Sequence, residues 1–256
     1  YEKGEEYREL KDCFFRKLQQ CVIVNGERFS DDYKKVAGKG KGPQMDIRMK
    51  PGSKPFTQSP KRCSPEQRAE VDRQIKLLLD AGAIEESWSP FASRVLLVPK
   101  KAGKDGKKRW RLVIDYRELN AMTLPDRYTL PRVDECLEAL SGHQWFSAMD
   151  ATSGFWSCKI HKDSRDYTSF VTNSGLYRWI SVPFGLKNSP AHYMRMMNAL
   201  FAGLTWKYCV LFVDDICVFS QEEEEHFERL CQVFARCREG NIYLNPSKAF
   251  LMRKWV

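Results

Sequence analysis

No apolar run among the 256 residues approaches the ~20 that a membrane-spanning helix needs, and no secretory leader opens the chain. The sequence therefore predicts an intracellular protein, cytoplasmic or nuclear, that is not secreted and has no membrane partner. No C-x-x-C pair occurs among the nine cysteines, at 13, 21, 63, 136, 158, 209, 217, 231 and 237. They read as small buried hydrophobes in a reducing compartment, not as a zinc or disulfide framework. No repeat period is visible. An initiator methionine is missing too: the chain opens on Tyr1, as a fragment or a processed piece would. Acid is the scarcer charge, 33 residues against 42 basic ones, and the resulting net charge of +9 favours a polyanionic partner such as nucleic acid.

What is present is a globular composition, 43% hydrophobic and 12% aromatic, in a chain long enough for one large domain or two small ones. Residues 1–44 read as an N-terminal extension and linker. Tyr7, Leu10, Phe14 and Leu18 have helical spacing over residues 5–20, and the GKGKG run at 38–42 reads as a flexible basic linker. Ser64, Pro65 and Gln67 together form a helix start with a capping box. Val71, Ile75, Leu78 and Leu79 then mark the buried face, and Gly82 the stop. Two strands are predicted at 93–99 and 110–116. The connection between them carries Lys100, Lys101, Lys104, Lys107, Lys108, Arg109 and Arg111 against a single acid, Asp105. Such a loop is either a solvated hairpin tip or a phosphate-contacting one. A short helix over 130–141, a strand over 145–151 ending near Asp150, a further strand to His161 and a hairpin over 168–182 follow. Ser189 and Pro190 start a helix with Tyr193, Met197, Leu200 and Phe201 facing inward.

The stretch 208–220, YCVLFVDDICVFS, sets two adjacent carboxylates, Asp214 and Asp215, between two short apolar runs. The runs read as strands and the polar break as their turn. An ionised carboxylate in such a core costs several kcal/mol, roughly, unless it is paired or holds a metal. No cation lies within the stretch, so the turn either points into water or holds a divalent ion. The acids at 222–225 suit a helix N-terminus, where they complement the dipole, and Phe227, Leu230, Phe234 and Cys237 give that helix an apolar face. A turn carrying Lys248 comes next.

Strands come mostly as hairpins and alternate with helices without a βαβ rhythm, which predicts an α+β fold, an antiparallel sheet backed by helices. Asp150 and the Asp214–Asp215 pair both sit at strand ends, so adjacent antiparallel strands could bring them to one sheet edge. Three converging carboxylates in a basic protein suit two Mg²⁺ ions about 3.5–4 Å apart.

The order of motifs resembles the fingers and palm of reverse transcriptases, most closely those of gypsy-type LTR retrotransposons. It rests on LVIDYRELN at 112–120, WFSAMD at 145–150 followed by SGF at 153–155, VPFGLKNSP at 182–190 and FVDD at 212–215. Each is weak alone; together and correctly spaced they are specific, and the likeness runs over about 45–256. It implies an RNA-directed DNA polymerase domain, with a palm and a mixed fingers subdomain. Such a domain joins a dNTP to a primer 3′-hydroxyl on an RNA or DNA template, with two Mg²⁺ ions or Mn²⁺ in their place.

Residue by residue, the resemblance implies that Asp150 and Asp214 ligate the metals, with Asp215 completing the cluster and Ala151 offering its carbonyl. Lys100 and Arg111 would hold the triphosphate, as charge developing on a transferring phosphoryl group requires. Phe155 would exclude a ribose 2′-hydroxyl. Phe184, Gly185 and the residues up to Pro190 would floor the nucleotide pocket, with Arg117 and Pro190 along the template. Lys248 would protonate the leaving pyrophosphate. The sequence departs from the family at Phe212, where Tyr is usual, and in its longer, more basic loop after Lys101. It also stops where a primer-gripping hairpin should begin, which predicts weak duplex holding and a parent polyprotein with thumb, ribonuclease H and integrase segments. The rival readings are a degenerate or co-opted remnant that binds nucleic acid without polymerising, and an RNA-dependent RNA polymerase; Phe155 and the 182–190 block argue against the second.

Overall fold

The structure, a computed structural model, describes residues 36–100, 109–245 and 248–254, the side chains of Lys100 and Arg109 excepted. The helix expected over 5–20 and most of the basic loop after Lys100 lie outside the described residues. The described residues fall into two compact units, one of 131–152 and 197–254, the other of 36–130 and 153–196. No helix among the described residues is long and apolar enough to cross a membrane.

In the second unit, helix α1 (Pro65–Asp80) starts as its sequence demands. Ser64 Oγ accepts the Gln67 N–H at 3.2 Å, Gln67 Oε1 accepts the Ser64 N–H at 3.0 Å, and Pro65 fills the first turn. Val71, Ile75 and Leu78 are buried; Leu79, expected beside them, is exposed, because the stripe is narrower than its apolar spacing suggests. Five strands make a mixed sheet: β1 (Ile84–Glu86), β2 (Ser93–Lys100), β3 (Arg109–Ile114), β5 (Phe170–Val171) and β6 (Leu176–Trp179), in the order β1-β6-β5-β2-β3. β2 and β3 pair antiparallel from Val95↔Ile114 to Lys100↔Arg109, whereas β2 meets β5 in parallel.

The Gly38–Gly42 region is packed, which corrects the flexible-linker reading. Gly38 N–H donates to Trp156 O at 2.7 Å and Gly40 N–H to Ser157 O at 2.9 Å. A Cβ on Gly40 would lie 2.9 Å from Ser157 O, and one on Gly42 2.6 Å from Met196 Cγ. These glycines permit close approach of backbone, a use that composition cannot separate from flexibility.

The first unit is a four-stranded antiparallel sheet, β7 (Cys209–Phe212), β8 (Asp215–Ser220), β4 (Trp145–Asp150) and β9 (Phe250–Arg253), in the order β7-β8-β4-β9. Helix α6 (Glu223–Gly240) covers β4, β8 and β9 with Leu230, Val233, Phe234 and Cys237, all fully buried. Helix α3 (Val133–Leu140) adds Cys136 to a cluster with Val210 and Phe219. A Cβ on Gly240 would collide with Leu200, so the end of α6 needs glycine for contact as well as for its stop at left-handed Asn241. The unit is the α+β arrangement that the hairpin pattern predicts.

Several short elements differ from the sequence reading. The further strand expected to run to His161 is absent: a helical turn, α4 (Gly154–Ser157), is followed only by isolated bridges at Lys159 and Ile160. Helix α2 (Arg117–Met122), the three-residue β1, the 3₁₀ segment Lys162–Thr168 and the edge strand β9 carry too little periodicity to be read in advance. Helix α5 (Ser189–Leu200) buries Tyr193 and Met197, with Phe201 just beyond its end, as the spacing predicts; Leu200 is only partly buried, and Met194 is buried as well.

Candidate active site

The turn between β7 and β8 is one residue earlier than the acidic pair suggests. Phe212↔Asp215 is the closing pair, so Val213 and Asp214 form the two-residue loop and Asp215 already belongs to β8. Val213 has φ 53°, a left-handed backbone that a β-branched residue adopts only at a cost of about 1–3 kcal/mol. Two-residue hairpins favour Asn or Gly at such a position. The strain aims Asp214 along the sheet edge, where its carbonyl accepts the Ala151 N–H at 2.8 Å.

β4 runs antiparallel to β8 in an unbroken register from Trp145↔Ser220 to Asp150↔Asp215. Asp150 therefore faces Asp215 directly, and the Ala151 contact brings Asp214 to the same edge. The chain after α6 closes the other side: Asn245 N–H donates to Asp150 O and Thr152 N–H to Tyr243 O, both at 2.8 Å. From this turn Lys248 reaches back, its Nζ 3.0 Å from Asp150 Oδ2. The sequence predicted Asp150, Ala151, Asp214, Asp215 and Lys248 to share a site, and the structure gathers all five.

Burial, then the charges of Asp150 and Asp215, push the Asp214 carboxyl up to about 6, against a smaller opposing pull from Lys248. Asp215 is raised by partial burial and by Asp150. Asp214 Oδ1 is shut off from solvent with no hydrogen-bond partner among the described residues. An orphaned buried oxygen in a group of like charges is what a small hard cation with oxygen ligands would satisfy. The donor set thus fits a divalent ion. Among the described residues, however, no three His, Cys, Asp or Glu side chains already stand together as metal ligands.

Beneath the edge lies a residue that the sequence reading passed over. His226 of α6 is fully buried, Nε2 2.8 Å from Ser147 Oγ and Nδ1 3.0 Å from Ser220 Oγ. Ser220 Oγ–H donates to Glu222 O, so its oxygen accepts from Nδ1–H, and Nε2 is left to accept from Ser147 O–H. Ser147 in turn accepts the Met252 N–H at 3.0 Å. One imidazole ties β4, β8 and β9 together. Burial, and then Arg229, push it down to about 4, with Glu225 opposing, so it stays neutral.

The other expected site residues all belong to the second unit. Lys100 ends β2 and Arg111, on β3 opposite Val98, is exposed. Arg117 grips Asp115 bidentately at 2.7–2.8 Å and is otherwise open to solvent. The Phe155 ring is buried edge-on against Phe184, 5.2 Å, and Tyr193, 5.3 Å. Phe184 is half exposed and Gly185 takes φ 94°, open only to glycine at low cost. Pro190 occupies the first turn of α5. Asn120 is a further residue not anticipated: its amide donates to Gly185 O and accepts from Lys187 N–H, both at 2.8 Å, fixing the loop that carries Phe184.

A family model described as reverse transcriptase (RNA-dependent DNA polymerase) matches residues 98–255. The Pol polyprotein from transposon 412 of Drosophila melanogaster is 38% identical over 213 residues, 82% of this chain and 17% of that protein. The enzymatic polyprotein of cauliflower mosaic virus (strain CM-1841) is 39% identical over 214 residues, 83% of this chain and 31% of that protein. The chain thus spans less than a third of either relative. Among solved structures, the foamy viral protease-reverse transcriptase in complex with RNA/DNA hybrid shares the fold at TM-score 0.82 and 24% identity, over 93% of this chain and 31% of that one. Its form in complex with double-stranded DNA gives 0.82 and 25%, over 94% and 41%.

Proposed function

Because the chain belongs to the reverse transcriptase family, we propose that it is the RNA-directed DNA polymerase part of a longer polyprotein, with residues 45–256 as fingers and palm. The observation that carries this reading is the β4–β8 register, which sets Asp150 opposite Asp215 with Asp214 beside them. Two divalent ions, Mg²⁺ or Mn²⁺, would supply Lewis-acid activation of a primer 3′-hydroxyl and neutralise charge on the phosphates. Asp150, Asp214 and the Ala151 carbonyl would hold them, and Asp215 would add charge to the cluster.

The remaining residues act on the substrates. Lys100 and Arg111 bind the triphosphate of a dNTP as charge partners. Phe184 and Gly185 floor the base and sugar, on a loop held by Asn120. Phe155, wedged between Phe184 and Tyr193, cannot yield to a 2′-hydroxyl and so selects deoxyribose. Arg117 and Pro190 line the template strand. Lys248, with its flexible stem and three donors, gives a proton to the departing pyrophosphate. The foamy viral relatives were solved with RNA/DNA hybrid and with duplex DNA, which supports a primed template as the macromolecular partner.

Addition of a single dNTP to a short primer–template tests the reading without demanding processivity. Asp150→Asn and Asp214→Asn are each expected to lower the rate by at least about a thousandfold, the scale on which removing charge stabilisation acts. Undiminished incorporation by both variants would refute it.

A further inference from the structure

Lys248 approaches the acidic edge from the turn after α6, and its ammonium lies 3.0 Å from Asp150 Oδ2. The lysine side chain is 61% exposed, while that of Asp150 is 20% exposed, so the cation caps a carboxylate that is otherwise largely covered. Asp150 faces Asp215 across the register, and Asp214 Oδ1 is buried without a partner among the described residues. Among the described residues, three carboxylates are thus met by one monovalent cation. It reaches one of them and leaves the buried oxygen of another unsatisfied.

We propose that Lys248 is an exchangeable positioning residue: its ammonium holds Asp150 at the sheet edge until a divalent cation takes that place, and the cation's arrival releases the lysine. The proposal rests on the metal-dependent reading above and adds a coupling to it. Lysine and metal compete for the same Asp150 oxygen, so each weakens the other's hold by the same factor. Lysine suits the task better than arginine would. Its charge is compact, its stem is flexible, and it makes no bidentate fork that a metal would have to break. Before loading, the ammonium offsets the repulsion between Asp150 and Asp215. Afterwards the same group, on an exposed stem, is free to turn toward phosphate oxygens.

Isothermal titration of the native chain with Mn²⁺, with no nucleic acid or nucleotide present, reads the exchange directly. Lys248→Met is expected to bind the first Mn²⁺ about three- to tenfold more tightly than the native chain, the range of a partly exposed ion pair. Lys248→Arg should stay within about twofold of native, and Asp150→Asn should lose the site. Because the lysine side chain is mostly in solvent, the methionine variant keeps the fold, which circular dichroism checks. Equal or weaker binding by Lys248→Met, with the site still lost in Asp150→Asn, overturns the exchange and leaves the metal reading standing. An arginine variant as tight as the methionine one overturns the charge argument. Absence of Mn²⁺ binding in both the native chain and Lys248→Met overturns the exchange and the metal reading together.

Discussion

In metal-free buffer at pH 7 an ionised Asp214 lies half-buried beside Asp150 and Asp215, and its Oδ1 has no donor. Its carboxyl is raised from 3.8 to about 6, so the folded state holds a proton that the unfolded chain releases. The sign follows: stability is gained at low pH and lost as pH rises from about 4 through about 6. Discounted for partial exposure, the loss is about 1–2 kcal/mol. Asp214→Asn removes that charge. In EDTA at pH 7 it is expected to melt about 2–6 °C above the native chain, which differential scanning calorimetry reads. A residue whose removal stabilises the fold is one kept for function. The two aspartates are legible in the sequence as a pair. Their difference is not: which one occupies the turn depends on Val213 accepting a left-handed φ, against its own propensity.

At the scale of elements, the acidic edge depends on β4 and β8 keeping one register, since a slip of one residue would turn Asp150 to the other face. His226 guards that register from below by bonding Ser147 on β4 and Ser220 on β8. Its imidazole is lowered from 6.5 to about 4, so below pH 6.5 the unfolded chain takes up a proton that the folded one refuses. Stability present above pH 6.5 is therefore lost as pH falls toward 4, by about 2–3 kcal/mol at most. His226→Gln removes the titration, and the expected result is a flatter stability profile between pH 6.5 and 4 by urea unfolding. An unchanged slope would show that other groups carry it.

Hydrophobic spacing made α6 legible and left His226 hidden. A polar residue on an apolar face looks like a break in the pattern until its two serine partners are seen. The same limit applies to Asn120, which sits in a recognisable motif but whose work is done on Gly185, 65 residues away. Capping chemistry, by contrast, is local, so Ser64 and Gln67 fixed the start of α1 from four residues. The linker-like run at Gly38–Gly42 failed in the opposite way: small residues chosen for contact look the same as small residues chosen for freedom.

Across the whole molecule, the four-stranded sheet supplies the acidic edge; in the other unit Lys100 and Arg111 lie on the mixed sheet, Arg117 and Phe155 on α2 and α4, and Phe184 on the loop before α5. The net charge of +9 adds an unspecific attraction for a phosphate backbone that salt weakens. The fold class was legible because hairpins and helix starts are written locally. The metal-binding reading rests on the order of several motifs, because an Asp-Asp pair by itself has no chemistry that a solvated turn lacks. At the proposed site Asp150 and Asp214 would bind divalent ions that serve both primer and dNTP. Anomalous diffraction from crystals grown with Mn²⁺, a primer–template and a non-hydrolysable dNTP analogue measures that binding directly. Two anomalous peaks against the carboxylates of Asp150 and Asp214, both within about 2.5 Å of an oxygen ligand, are the predicted result. A nucleotide bound in order with no peak at either carboxylate would contradict it.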